Sequence, residues 1–516
     1  MALYTPDRAR RSLFHTVTFR AMSQVATVLG YVVLVRGLSK HDFGVFSLLY
    51  AFIPLISTIA SLGLEQTLRR FQPEFLKLGQ HAAAAWLVRV VAAARLGMNA
   101  VVLTIILLGW SFAAPLFKLT AYRPEFALFS VLVLLHFQVN ILQLTLASHM
   151  LHRFSVGSTS VLSGGKLVAY LALLSFNSLT LRNVILADTV AYALAYVCMK
   201  VAHLRYCSLP AGTAAFRPTA PERRRLLRYA FYNNFNDAGT LILSSQSDNF
   251  FIAAFLDPVA VGAYSFYVRL NDMASQLIPT RLFDNVVQPL FFAIPQNQVA
   301  TRMPRDFSAL LNANLLVYWP IFSFAVAYHA QIVTVIFGGK FIEYSWLLAL
   351  IAGFGMINVI ANPVSLVAEY QERPGIILLS KVFAIYNVVA LLALLPLAGL
   401  YGAAFASGSA QTLKNLFIWW HVRSRAVWLN ARAALLSGAL LWGGAMALCS
   451  VLNAVLDVPA LVQLIIGAMI LAVTALIYLR TPAISLSDRA LLASVLGPKP
   501  ARLLRVFGLQ MPASKQ

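Results

Sequence analysis

Five cations sit inside apolar stretches of this sequence: Arg20, Lys166, Arg269, Lys381 and Lys414. An ionised side chain within hydrocarbon is expensive, so such residues are expected to face a protein interior or a water-filled cavity and to hold an anionic group there. The two arginines suit this best, because the planar guanidinium fork makes two charge-assisted hydrogen bonds to an oxyanion. Two acids share the setting. In SSQSDNFFIAAFL, Ser244 to Leu256, Asp248 precedes a run greasy enough for the middle of a bilayer, and Asp237 lies about three turns earlier. A carboxylate there can load and release a proton or cation, or pair with Arg269 or Arg20 in one state and release it in another. It can also be a static acid satisfied by Ser244, Ser247 and Asn249.

Helical periodicity positions these groups. At about 100° per residue, Asn233, Asn236, Asp237, Thr240, Ser244, Ser247 and Asp248 share one face of a single long segment. A similar stripe runs from Thr16 through Arg20, Ser23, Gln24 and Thr27 to Tyr31. A third carries Ser265, Arg269, Asp272 and Gln276. Stripes of this kind belong in a bundle interior, so Gln24, Asn233, Asp272 and Gln276 join the cations as candidate cavity residues. Local pairing competes with that reading: Arg269 and Asp272, three residues apart, can neutralise one another. Arg281 and Asp284 repeat the spacing nearer a helix end, where snorkelling is the simpler account. Lys166, Lys381 and Lys414 can also sit near helix ends, and Arg89 and Arg95 read as anchors at the cytoplasmic ends of their segments.

The chain as a whole is built for a bilayer. Of 516 residues, 60% are hydrophobic and 11% charged, far from the roughly one-quarter charged of soluble domains. Apolar runs of about 20 residues recur, the length that crosses a ~30 Å hydrocarbon core, and they exclude a β-barrel with its short alternating strands. The expected fold is an all-α polytopic membrane protein of about 14 transmembrane helices. Lys and Arg divide between alternate loops in a ratio of roughly 25 to 6, which puts both termini in the cytoplasm and explains most of the formal net charge of +22 without nucleic acid. Cys198, Cys207 and Cys449 lack metal-ligand spacing and read as inert packing residues.

The longest loop, Cys207 to Arg225, is basic and contains Pro210, Pro218 and Pro221. It divides an N-terminal lobe (1–206) from a C-terminal lobe (226–422), followed by two extra spans (423–480) and a basic tail (481–516). LSKHDFGVFS (Leu38 to Ser47) and LDPVAVGAYS (Leu256 to Ser265) align without a gap and match at Leu38/Leu256, Gly44/Gly262, Phe46/Tyr264 and Ser47/Ser265. Each joins the first and second spans of its half, the sign of an internal repeat. Two six-helix lobes around a central cavity, plus two C-terminal helices, follow.

The runs LSKHDFGVFSLLYAF and SLGLEQTLRRFQPEF resemble the opening of bacterial polysaccharide-biosynthesis transporters, the Wzx-type O-antigen flippases of the multidrug/oligosaccharidyl-lipid/polysaccharide exporter superfamily. QSDNFFIAAFLDPVAVGAYSFYVRL is similar to that family's seventh and eighth spans, and LAGLYGAAFASGSAQTLKN (Leu397 to Asn415) to its twelfth. The resemblance implies a flippase of the bacterial inner membrane that carries a polyprenyl-pyrophosphate-linked oligosaccharide across by alternating access. Lipids, and a polysaccharide polymerase or other assembly proteins, would be its partners. Asp248 takes the place of the family's aspartate; the basic residue that commonly follows it is replaced by Asn249. No GxxxxGK[ST] motif occurs, so no nucleotide cofactor is expected. A small-molecule or drug exporter of the same superfamily is the second reading. A membrane-embedded polymerase or ligase is the third, weakened by short outward loops that carry no convergent acid/base pair.

Overall fold

The computed structural model describes residues 6–207, 216–282, 299–370, 374–422 and 431–480, with side chains from Phe19 onward except at scattered positions such as 235–236, 304–306 and 431–434. Every regular element among them is helical. Lipid offers no hydrogen bonds to a backbone, so a spanning chain satisfies its amides within helices. Ten helices among the described residues are long and apolar enough to cross a membrane. One of these stretches, 47 residues from Gly375 to His421, holds two passes because it breaks at Gly399. The helices bearing the polar stripes of the first, seventh and eighth expected spans are not among the ten.

Packing divides the chain into two compact units, Met1–Ser265 and Phe266–Gln516. The first contains α1 (Pro6–Gly37), α2 (Lys40–Ser61), α3 (Leu64–Lys77), α4 (His81–Leu108), α5 (Trp110–Leu116), α6 (Arg123–Ser148), α7 (His152–Ser175), α8 (Leu181–Tyr206), α9 (Ala220–Ile242) and α10 (Ser245–Phe255). It ends within α11 (Pro258–Ser275). Helix α1 lies along α7, α7 and α6 pack on α8, and α4 bridges α2, α3 and α6. Amphipathic α3 turns Leu68, Phe71, Phe75 and Leu76 inward against Leu87, Val91 and Leu226.

Helices α9 and α10, which the sequence places in the 226–422 lobe, group by packing with this first unit. The reason is close backbone contact. Gly63, at φ +70°, closes the α2–α3 turn so near to α9 that a Cβ there would lie 1.9 Å from the Ala230 carbonyl oxygen. The Phe52 and Phe250 rings meet edge to face at 4.9 Å. The two aligned motifs also touch directly: a Cβ on Gly44 would fall 1.7 Å from the carbonyl oxygen of Pro258. The glycine that aligns the two motifs is therefore also the residue that lets them meet.

The second unit holds the rest of α11, then α12 (Pro279–Leu282), α13 (Val299–Ala327), α14 (His329–Phe337), α15 (Trp346–Tyr370), α16 (Pro374–Leu379), α17 (Phe383–Val422), α18 (Ala431–Val455) and α19 (Ala460–Arg480). Helix α15 packs on α13 and α17. In α17 the hairpin pivots at Gly399, φ +56°, and Gly402 approaches the Leu394 carbonyl so closely that a Cβ would sit 2.2 Å from it. The small residues of the LAGLYGAAFASG run thus serve a turn and a tight helix pair. Helices α18 and α19 close over α13 and α14 around Trp442, Tyr478 and Trp319. Asn453 donates to the Ala327 carbonyl at 2.9 Å. Asp284, the side chain of Asn236 and the tail 481–516 lie outside the described residues.

Candidate functional site

Within the first unit a buried polar cluster gathers around an acid the sequence analysis did not single out, Asp188 on α8. The Lys166 ammonium of α7 lies 3.0 Å from its Oδ2, with side-chain exposures of 18% for the lysine and 1% for the aspartate. Tyr50 of α2 and Tyr170 of α7 both donate their hydroxyls to the same carboxylate. The ammonium also stands over the Tyr192 ring, 4.7 Å from its centre, and aromatic faces attract cations through their quadrupole. Tyr192 contacts His136 Nδ1 at 3.0 Å, and Asn140 Nδ2 donates to His136 Nε2 at 3.2 Å. These contacts chain Tyr192, His136 and Asn140 together beside the cation. Lys166 is thereby a cation held in place yet partly open, with an acid partner that an incoming anion could replace.

Arg95, read from sequence as a cytoplasmic anchor, is instead fully buried. Its guanidinium pairs with Glu65 at 2.7 Å, donates to the Ser57 carbonyl and hydroxyl at 3.0 and 2.9 Å, and lies 4.3 Å from the Phe137 ring centre. A buried arginine needs its donors filled; Glu65, one residue past the tight Leu64 entry to α3, supplies the charge. The pair ties the α2–α3 turn to α4. Arg89 is exposed.

The stripe of α1 is largely consumed in helix packing. Ser23 meets Ser163 of α7 at 2.8 Å and Thr27 donates to Ser163 at 3.3 Å, while Ser160 donates to the Phe19 carbonyl at 2.7 Å. Arg20 remains exposed and Gln24 half-buried.

The stripe of the seventh span does not run along one helix. The chain breaks at Leu243–Ser244, where Ser244 is extended (φ −90°, ψ 148°) and starts α10. Ser244 and Ser247 bond to carbonyls of the break itself, Ser244 to Leu241 at 2.6 Å and Ser247 to Ile242 at 3.0 Å. Among the described hydrogen bonds, neither serine side chain is joined to the acid. Asp248 lies in the first turn of α10, where a helix dipole favours a negative charge. It is fully buried, and Tyr264 of the VGAYS motif donates to it at 2.6 Å. Asn249 accepts from Ser265 at 3.0 Å. Asn233 and Asp237 are half-buried on α9, Asn233 donating to the Tyr229 carbonyl at 2.8 Å.

In the second unit Arg269 is exposed, Asp272 half-buried and Gln276 exposed. No ion pair joins Arg269 to Asp272 among the described contacts, although Arg269 and Arg281 both act on that acid through space. Lys414 donates to Gln411 at 3.2 Å and is repelled by Lys381. Beside them lie uncharged partners that the sequence did not flag: Asn415 donates to Asn358 at 2.6 Å, and Tyr318 to Asn271 at 2.8 Å. Both units therefore carry cations among polar side chains on helices that are otherwise apolar.

Comparison with known proteins places this fold and sequence among relatives. One solved structure is "Lipid II flippase MurJ, inward closed conformation", with a TM-score of 0.68, 10% identity, and coverage of 90% of this chain and 98% of that one. Another is an inward-facing multidrug resistance MATE family transporter of the MOP superfamily, with a TM-score of 0.64, 11% identity, and coverage of 80% and 98%. At such identities the likeness is one of fold. By sequence, the protein is 20% identical over 384 residues, 73% of this chain and 76% of the relative, to the "Probable low-salt glycan biosynthesis flippase Agl15" of Haloferax volcanii. The model of a family described as "Polysaccharide biosynthesis protein" matches residues 10–294, more than half of the 516 residues. The chain belongs to the polysaccharide biosynthesis protein family.

Proposed function

We propose that the protein is a flippase that moves a polyprenyl-pyrophosphate-linked oligosaccharide across the bacterial inner membrane by alternating access. The observation that carries the reading is Lys166, a partly open cation on an apolar helix whose acid partner Asp188 is buried beside it. A diphosphate entering from the partly open side of the ammonium can take over part of that ion pair. The tyrosine hydroxyls then keep Asp188 solvated while the cation is shared. Arg20, Gln24, Asn233 and Asp237 are proposed to meet the phosphates or sugars in the first unit, and Arg269, Asp272, Gln276, Lys381 and Lys414 in the second. Asp248 and Asp237 are proposed as the coupling acids. No step requires a reacting bond, so the protein is proposed to act without enzymatic chemistry.

Membership of the polysaccharide biosynthesis family and the fold shared with a lipid II flippase support this reading. A second reading, export of a small molecule, rests on the similar MATE fold. Surface glycan measured in cells that carry Lys166→Gln, Arg20→Gln or Arg269→Gln at normal protein levels tests the assignment. Loss of glycan is expected, and parental export by all three variants contradicts it.

A further inference from the structure

Outside the polar clusters just described, the first unit bears a groove of about 1070 Å³ between α3 and the start of α9. Four arginines line it, Arg70 from α3 and Arg224, Arg225 and Arg228 from α9, and no carboxylate does. We infer that this groove is a binding site for the phosphate or diphosphate group of a membrane-anchored lipid, which would be held by arginine forks before it enters the bilayer interior.

The arrangement goes beyond a topogenic run of positive charge. Arg225 and Arg70 are held in place by the same acid, Glu74, each at 3.0 Å. Their guanidinia lie 4.8 and 5.7 Å from the Phe71 ring centre, which meets Tyr229 edge to face at 5.3 Å. That aromatic floor is anchored in the core around Leu68 and Leu226, so the cationic wall stands on a fixed base. Arg224 and Arg228 have no carboxylate partner among the described residues. They are also four residues apart on one helix, where like charges repel and disfavour the helix. An anion bound between them removes that repulsion, and the guanidinium fork matches a phosphate's paired oxygens. Two further features suit a lipid rather than a soluble phosphate. Helix α3 is amphipathic, with its apolar face buried and Arg69, Arg70 and Lys77 on the other side. The groove also runs up α9 to Asn233, the first residue of the polar stripe.

Binding of a fluorescent polyprenyl diphosphate to the purified full-length protein, in nanodiscs of zwitterionic lipid, tests the site. The double variant Arg224→Gln/Arg228→Gln should weaken binding about tenfold or more, and Arg224→Lys/Arg228→Lys should recover only part of it because the fork is lost. Both side chains are exposed, so the melting temperature serves as a check on folding, and single Arg224→Gln covers the case in which the double variant unfolds. Competition distinguishes the sources. Displacement by inorganic pyrophosphate assigns recognition to the diphosphate itself, and displacement by phosphatidylglycerol alone assigns it to bulk anionic lipid. Unchanged affinity in the folded glutamine variants overturns the inference. The measurement reads binding alone, so a failure of saccharide transport would leave it intact.

Discussion

The Lys166 ammonium rests 3.0 Å from Asp188 and 4.7 Å from the centre of the Tyr192 ring, which links α7 and α8 through a single cation. Its other acid-side neighbours, Tyr50 and Tyr170, come from α2 and α7. Asp188→Asn removes the charge and keeps an acceptor oxygen for one of the two hydroxyls, while the other can turn to accept from the new amide. The expected result is folded protein whose glycan export falls about tenfold or more, measured as surface glycan per unit of membrane protein. Parental export would remove the pair from the transport cycle.

Arg95 and Glu65 make a structural prediction. Taking away one partner of a buried ion pair leaves an uncompensated charge and costs on the order of 3 kcal/mol. Glu65→Gln is therefore expected to lower the apparent melting temperature of the solubilised protein sharply. Replacing both residues, as Arg95→Met/Glu65→Leu, should recover much of the loss. Equal damage from the single and the double variants would refute the pairing as the cause.

Gly44 predicts a packing failure. With a Cβ 1.7 Å from the Pro258 carbonyl oxygen, Gly44→Ala must push backbone away from backbone, an overpacking cost on the order of 3 kcal/mol. Gly97, a helical glycine with nothing within 4 Å of where a Cβ would stand, is the control: Gly97→Ala should stabilise by up to about 1 kcal/mol. Thermal melts of both variants check this, and a tolerant Gly44→Ala contradicts the close approach of the two aligned motifs.

Cys207, at the end of α8, predicts a pH dependence. Burial pushes its thiol up to about 11 from an ordinary 9.0. The charged form is the one disfavoured in the folded protein, so the folded state loses stability relative to the unfolded chain as pH climbs through that interval. Iodoacetamide labelling of Cys207 in a Cys198→Ser/Cys449→Ser background should be slow at neutral pH and still be rising between pH 9 and 11. A rate already saturated at pH 9 would contradict the burial.

Much of this architecture is legible in the residues, and what is not has physical causes. Apolar length dictates the polytopic helical fold, whereas the close backbone contact at Gly44 and the pivot at Gly399 come from packing that the motifs alone do not specify. The break after Ile242 escapes the periodicity because an average of 100° per residue treats the whole segment as one helix. The Ser-Ser-Gln-Ser run that opens α10 is its local signal. Asp188 escapes because its partners come from other helices, α2 and α7, which periodicity along α8 does not reach. The signal present is a lone acid inside an apolar run, which by itself marks a functional residue in a membrane helix. Arg95 reads as a helix-end residue because only the fold brings Glu65 to it. Cys198 is exposed rather than packed, since helix periodicity alone does not say which face meets a neighbour.

The most direct test of the central claim is translocation in proteoliposomes. The purified protein would be reconstituted with a polyprenyl-pyrophosphate-linked oligosaccharide in both leaflets, and a membrane-impermeant enzyme that trims the saccharide would be added outside. The account predicts that the inner-leaflet pool becomes accessible only when the protein is present, and that Lys166→Gln slows this about tenfold or more. An inner pool that stays protected, in vesicles whose protein exports a small cationic dye, would contradict the account and favour the exporter.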